Sequence, residues 1–149
     1  MGDASATRST TVNAPVETVW ATLAAFDRLS TWSPKVDHST YLTEQREGVG
    51  SARRVQVGRT VLVERITEWD PPRALAYALE GLPPVAGGAT NRWTLRAEGD
   101  RTFVTLTSSV DPGAKPVGRV AAPLVARRLA KASDGMLAGL DAHLTGARP

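Results

Sequence analysis

The C-terminal stretch from about Pro116 to Leu144 constrains the fold of this chain more than any other segment. From Pro123 onward, apolar residues recur at steps of three and four, which places them along one side of a helix. They are Val125, Leu129, Ala132, Met136, Leu140 and Leu144. Before Pro123 the pattern shifts to another side, and proline removes a backbone donor, so we expect the helix to start or kink there. A helix with one apolar side must cover another layer of structure.

The chain upstream of this helix is dominated by short runs typical of β-strands. The runs are Ser5–Val12, Val36–Glu44, Ser51–Val57, Thr60–Trp69, Ala74–Glu80, Thr90–Ala97 and Thr102–Val110. Most of the breaks between consecutive runs are short and rich in Gly, Pro or Asp, which predicts hairpins and an antiparallel sheet. The break at residues 81–89 is longer and predicts a mobile rim.

Two helical segments are predicted between the first and second strands. Asn13 is a candidate N-cap, Pro15 suits a first helical turn, and apolar spacing then predicts a helix to about Phe26. A short helical turn follows and is stopped by Pro34.

Composition excludes several classes of protein. The 149 residues fit a single domain, 42% hydrophobic and 22% charged, with no apolar run long enough to cross a membrane. The absence of cysteine excludes disulfides and thiolate metal sites, and the two histidines have no metal-ligand spacing, so we predict no metal and no cofactor. The net charge of +3 is spread without a basic run, which argues against nucleic-acid binding. We expect a cytoplasmic protein, because no secretory signal is recognisable. We expect it to be a monomer or a homodimer.

The order of strand, two short helices, six strands and long helix resembles the helix-grip fold of the START-related (SRPBCC) superfamily. Within that superfamily, Thr11–Trp20, Trp32 with Pro34, Gly48–Gly50 and Glu68–Tyr77 resemble the polyketide cyclase/dehydrase branch. The resemblance covers nearly the whole chain. It implies an α+β fold, in which a curved seven-stranded antiparallel sheet wraps around the C-terminal helix. It identifies the fold better than the chemistry, because the branch includes both enzymes and ligand carriers.

Strand alternation predicts which side chains face the helix. In Thr60–Trp69, Glu64 and Glu68 share one side, so we predict that this side faces solvent and that Arg65 points inward. A buried guanidinium needs a carboxylate partner or a bound anion, and the alternative is that Arg65 is exposed. The predicted interior is apolar with few polar groups, as in a small-molecule cavity. Its predicted ligand-binding residues are Trp32, Val36, Val61, Val63, Arg65, Tyr77, Asn91, Trp93, Val125 and Met136.

The resemblance also implies roles for some of these residues. Arg65 aligns with a pocket arginine of aromatase/cyclases that is thought to hold a ketone or enolate oxygen, and Trp32 and Trp93 align with pocket tryptophans. Three positions depart from those enzymes: Val61 replaces a tryptophan, Val63 a serine and Ser39 a tyrosine. The lost hydroxyl groups are those usually invoked for proton transfer.

Three functional hypotheses follow. The first, which we favour because no catalytic constellation is visible, is binding of a small hydrophobic ligand (aromatic, polyketide-like or lipid-like) between the sheet and the last helix. The second is a polyketide cyclase/dehydratase in which Arg65 polarises a carbonyl and Tyr77 or His38 moves protons. The third is an interaction module that uses Arg127 and Arg128 of the last helix.

Two glycines interrupt the last helix near its apolar stripe. Gly135 and Gly139 each cost about 1 kcal/mol relative to alanine in a helix interior. We therefore expect them to allow a close approach of the sheet, the first helix or a ligand.

Overall fold

The computed structural model describes residues 4–81 and 87–145, so part of the rim predicted at 81–89 lies outside the described residues. Within them the chain forms seven strands, two α-helices and one 3₁₀ helix. The N-terminal elements are β1 (Ala4–Val12), α1 (Val16–Ala24) and the 3₁₀ helix (Phe26–Thr31). The remaining elements are β2 (His38–Tyr41), β3 (Ala52–Val57), β4 (Thr60–Asp70), β5 (Ala74–Glu80), β6 (Gly88–Glu98), β7 (Arg101–Asp111) and α2 (Pro116–Thr145).

The strands form one antiparallel sheet in the order β1-β7-β6-β5-β4-β3-β2. Strands β2 to β7 are a meander, as the short turns predicted. Strand β1 pairs along its whole length with β7, from Ala4 opposite Val110 to Val12 opposite Thr102. The predicted α+β helix-grip fold is therefore confirmed, with β1 and β2 at the two edges of the sheet.

The two predicted N-terminal helical segments are present with small differences. Helix α1 ends at Ala24, and the 3₁₀ helix begins at Phe26. The expected cap at Asn13 is wrong: Pro15 occupies the N-cap position, and no side chain caps the helix. Neither α-helix in the described chain is long and apolar enough to span a membrane.

Helix α2 packs on β1 and β7 through a row of small side chains. Its buried residues are Gly118, Ala122, Ala126, Ala130, Ser133, Leu137, Gly139 and Leu140. The larger apolar residues of the predicted stripe, such as Val125 and Met136, flank this row and are partly buried. Short side chains bring the helix axis close to the sheet, and the larger ones then fill the space on one side.

Of the two expectations for Pro123, a helix start is wrong. Helix α2 begins at Pro116, where a proline loses nothing because the first backbone N–H groups of a helix have no partner inside it. Pro123 lies inside the helix and deprives the carbonyl group of Arg119 of its usual donor. Both residues are exposed, so water can satisfy that carbonyl.

The inward orientation predicted for Val61, Val63 and Arg65 is wrong. Glu64 and Ile66 are buried, at 5% and 1% exposure, whereas Val61 is 40% exposed and the side chain of Arg65 46% exposed. The rule that carboxylates mark the wet side of a strand fails here because Glu64 is buried as an ion pair with Arg53 of β3. Arg65 instead pairs with Glu80 at 3.6 Å on the outer face.

Strand β4 contains an irregularity, and an aromatic contact with α1 lies just beyond it. The pairing with β5 shifts between Ile66, opposite Tyr77, and Glu68, opposite Ala76, as expected for a β-bulge. Beyond this point Trp69 packs edge-on against Trp20 of α1, with ring centroids 5.2 Å apart.

Gly139 is a point of close approach between α2 and the rest of the chain. A Cβ atom there would overlap the carbonyl oxygen of Trp32 and would lie 2.7 Å from Cδ of Pro34. The partner is thus the segment that follows the 3₁₀ helix, rather than the sheet, helix α1 or a ligand. Gly135 differs, since a Cβ atom at that position would meet nothing within 4 Å.

Candidate ligand-binding site

A cavity of about 210 Å³ lies between the sheet and α2. Helix α2 contributes Leu129, Ala132, Gly135 and Met136, which the helical repeat places on one side. Strands β3 to β5 contribute Val55, Val57, Leu62, Glu64 and Leu79, and β6 contributes Asn91. Leu29 and the segment from Ser33 to Val36 complete the lining.

The volume and the lining suit a small apolar molecule. An apolar cavity of roughly 150 Å³ is enough to bind benzene, so this one has room for one or two aromatic rings. Gly135 leaves space on the helix side because it has no side chain. Lys35 is exposed and therefore lies at the rim of the cavity.

A buried ion pair stands behind one wall of the cavity. Nε of Arg53 donates to Oε1 of Glu64 at 2.8 Å, and Nη2 of Arg53 lies 2.6 Å from the same oxygen. Nη1 donates to the carbonyl oxygen of Phe26 at 2.8 Å. The guanidinium carbon lies 3.6 Å from the ring centroid of Phe26 and 4.8 Å from that of Tyr77. These contacts hold Arg53 within the protein and away from the cavity.

Glu64 has one carboxylate oxygen that Arg53 does not use. Both contacts from Arg53 go to Oε1. Among residues 4–81 and 87–145, no group donates a hydrogen bond to Oε2, and Glu64 lines the cavity. The wall of this apolar cavity therefore carries an acceptor with unused capacity.

A second polar cluster crosses the inner face of the sheet. The hydroxyl group of Tyr77 accepts hydrogen bonds from Nε1 of Trp93 at 3.3 Å and from Nδ2 of Asn91 at 3.5 Å. Ser108 donates to Oδ1 of Asn91 at 2.7 Å. Burial, reinforced by the charge of Glu64, raises the pKa of Tyr77 above its ordinary value of 10.0, although Arg53 opposes this effect. The phenol therefore stays protonated at neutral pH and acts as a neutral anchor for Asn91, which reaches the cavity.

Comparison with known proteins identifies the family. Residues 3–145 match the family described as polyketide cyclase / dehydrase and lipid transport. The chain belongs to this family. No curated protein sequence matches it.

Several solved structures share the fold of this family member. The Zhui aromatase/cyclase from Streptomyces sp. R1128 is 22% identical, with a TM-score of 0.76 over 95% of this chain and 93% of that one. A START superfamily protein from Mycobacterium smegmatis is 14% identical, with a TM-score of 0.76 over 99% of this chain and 100% of that one. A protein from Thermobifida fusca is 25% identical, with a TM-score of 0.72 over 95% of this chain and 93% of that one.

The predicted ligand-binding residues of this family member fall into three groups. Val36, Asn91 and Met136 line the cavity. Trp32, Tyr77 and Trp93 instead surround a neighbouring void of about 10 Å³. The third group lies outside both spaces: Val61, Val63 and Arg65 are on the outer face, and Val125 is packed beside the core.

Trp32, which lines the small void, carries a hydrogen-bond donor that is unpaired among residues 4–81 and 87–145. Nε1 of Trp32 is buried and has no hydrogen-bond partner within the described part of the chain. The ring packs edge-on against Trp93, with centroids 6.0 Å apart. Trp32 thus belongs to the aromatic core below the cavity rather than to the cavity wall.

Two further residues of interest are held outside the cavity. His38, considered as a proton carrier, is exposed on the edge strand β2. Ser39, which replaces an expected tyrosine, donates to the carbonyl oxygen of Asp27 at 2.7 Å and accepts from the backbone N–H of Ser30 at 3.0 Å. Its short hydroxyl group ties β2 to the 3₁₀ helix.

The sequence reasoning missed Arg53 and Glu64, although a signal for them was present. Strands β3 and β4 are joined by a tight turn at Gly58 and Arg59, with Val57 opposite Thr60. Counting back from that turn along an antiparallel hairpin places Arg53 opposite Glu64. Opposite charges at paired positions indicate a cross-strand ion pair, which removes the reason for placing Glu64 on the wet side.

Proposed function

We propose that this member of the family binds a small hydrophobic molecule, preferably an aromatic one, in the cavity between the sheet and α2. The observation that supports the proposal most strongly is the lining: aliphatic side chains from three strands and α2 surround about 210 Å³, with few polar groups among them. Ligand sites of proteins have this composition, in which apolar surface provides affinity and a few polar atoms fix the orientation.

Binding is better supported than the cyclase/dehydratase alternative. That alternative needs a cation to polarise a substrate carbonyl, and Arg65, predicted for the role, lies on the outer face with Glu80. Arg53 is occupied by Glu64 and by the carbonyl group of Phe26. The cytoplasmic location and the monomeric or dimeric state stay predictions.

The proposal is tested by narrowing the cavity. Met136 lines it from α2, and Met136→Trp replaces a flexible side chain with a larger rigid one. Ala138→Trp places the same indole on the exposed side of the same helix and is the matched control. Naphthalene and 2-naphthol are suitable probes, and the measurement is the melting temperature as a function of probe concentration.

We expect the melting temperature of the wild type and of Ala138→Trp to rise with probe concentration, because ligands that bind the folded state stabilise it. Met136→Trp should bind at least about tenfold more weakly, a loss of roughly 1.4 kcal/mol. The proposal fails if no aromatic probe stabilises the wild type, or if the two tryptophan variants respond equally.

A further inference from the structure

The unused oxygen of Glu64 points to the chemistry of the ligand. Oε1 is occupied by Arg53, whereas no group among residues 4–81 and 87–145 donates to Oε2. Glu64 is buried, with its side chain 6% exposed, and lines the cavity. Because Glu64 lines the cavity and Oε2 has no donor in the described chain, an apolar ligand would cover this oxygen without satisfying it, at a cost in free energy. A ligand that supplies a donor at this position removes that cost.

The other polar groups of the lining do not provide the same selectivity. The amide of Asn91 already accepts from Ser108 and donates to Tyr77. The hydroxyl group of Ser33 can rotate to donate or to accept, so it favours neither kind of ligand. Of the buried polar groups in the described lining, Oε2 of Glu64 is one that can only accept, so it favours a ligand that carries a donor.

The charge of the ion pair limits the donor to a neutral group. Arg53 compensates Glu64 through two contacts to one oxygen, so the pair as a whole carries no net charge. A cationic ligand would add an uncompensated charge to a site of low dielectric constant, and an anionic ligand would lie against the carboxylate. A hydroxyl or N–H group of a neutral ligand avoids both penalties.

We propose that the cavity selects hydrophobic molecules that carry one neutral hydrogen-bond donor, such as a phenolic hydroxyl group, and that Oε2 of Glu64 is the acceptor. This inference rests on the proposed function and adds the class of ligand to it. It excludes anionic groups such as carboxylates from the inner wall of the cavity.

The wild-type protein gives the first test. We expect isothermal titration to show 2-naphthol binding at least tenfold more tightly than naphthalene or 2-methoxynaphthalene, with 2-naphthoate weakest of the four. Equal affinity for 2-naphthol and naphthalene would overturn the inference and leave the proposed function intact. If none of the four probes binds, the proposed function fails, and the inference fails with it.

Glu64→Gln tests the acceptor itself, because it replaces one carboxylate oxygen, which accepts hydrogen bonds, with an NH₂ group, which donates them. The amide oxygen of glutamine can still accept from Arg53, which leaves the NH₂ group where Oε2 stood. We expect the preference for 2-naphthol over 2-methoxynaphthalene to fall at least tenfold. An unchanged preference would overturn the assignment of Glu64.

A second variant covers the case in which Glu64→Gln does not fold. Arg53→Met combined with Glu64→Leu removes both buried charges together, a replacement that proteins often tolerate. This double variant should bind naphthalene and 2-naphthol with equal affinity. A retained preference for 2-naphthol would show that another group is the acceptor and would overturn the inference.

Discussion

Arg53→Ala lowers the free energy of unfolding by about 3–5 kcal/mol, as expected for removal of one partner from a buried ion pair. The guanidinium group contacts Oε1 of Glu64, donates to the carbonyl oxygen of Phe26 and lies over the rings of Phe26 and Tyr77. Alanine leaves Glu64 as an uncompensated charge, leaves the carbonyl group without its donor and opens a gap between the two rings. Urea denaturation of the purified variant measures the loss.

Arg65→Ala is the matched control for this experiment. Arg65 lies on the next strand and also pairs with a glutamate, but the distance to Glu80 is 3.6 Å and both side chains are about half exposed, at 46% and 54%. Exposed pairs of this kind contribute at most about 1 kcal/mol. Equal losses for the two alanine variants would contradict the assignment of Arg53 to the interior and of Arg65 to the surface.

Gly139→Ala destabilises the fold by at least about 2 kcal/mol, towards the upper part of the range for overpacking. A Cβ atom at position 139 would overlap the carbonyl oxygen of Trp32 and approach the ring of Pro34. Neither neighbour is the end of a flexible side chain, so α2 must move away from the segment that follows the 3₁₀ helix. Thermal unfolding followed by circular dichroism measures the effect.

For Gly135→Ala in the same helix, we expect the opposite effect on stability. A Cβ atom at position 135 meets nothing within 4 Å, so the higher helix propensity of alanine should stabilise the protein by up to about 1 kcal/mol. A rise in melting temperature for Gly135→Ala with a fall for Gly139→Ala supports the described packing of α2. A fall of similar size for both would contradict it.

The fold was predictable because the local signals in this chain agree with one another. Turn residues mark the hairpins, and every predicted strand has a counterpart in the sheet, although β2 is limited to His38–Tyr41. The return of β1 to pair with β7 has no local signal in the sequence. The resemblance to the helix-grip fold supplied that connection.

The inner face of β4 was not predictable by polarity alone. Val61, Val63 and Arg65 formed a more apolar set than the alternative containing Glu64 and Glu68. The burial of Glu64 depends on Arg53, which belongs to another strand, so a rule applied to one strand at a time cannot detect it. Of the residues predicted from β6 and α2, Asn91 and Met136 line the cavity, whereas Trp93 and Val125 do not.

The buried row of α2 shows a related weakness of hydrophobic periodicity. Large apolar side chains such as Leu129 and Met136 dominated the predicted stripe but are only partly buried, whereas Ala122, Ala126 and Ala130 are buried. Alanine carries little hydrophobic signal, yet its small size determines how near the helix lies to the sheet. The larger side chains then face the cavity, where they are available to a ligand.

The occupation of the cavity can be observed directly at Met136. The chain has two methionines, Met1 and Met136, so labelling methionine methyl groups with ¹³C gives an NMR spectrum with one probe in the cavity wall and one at the N-terminus. On titration with 2-naphthol we predict that the Met136 methyl signal shifts and saturates, with nuclear Overhauser effects to the naphthyl protons, while the Met1 signal does not move. A Met136 signal that remains unshifted while 2-naphthol binds elsewhere on the protein, or no binding at all, would contradict a ligand site between the sheet and α2.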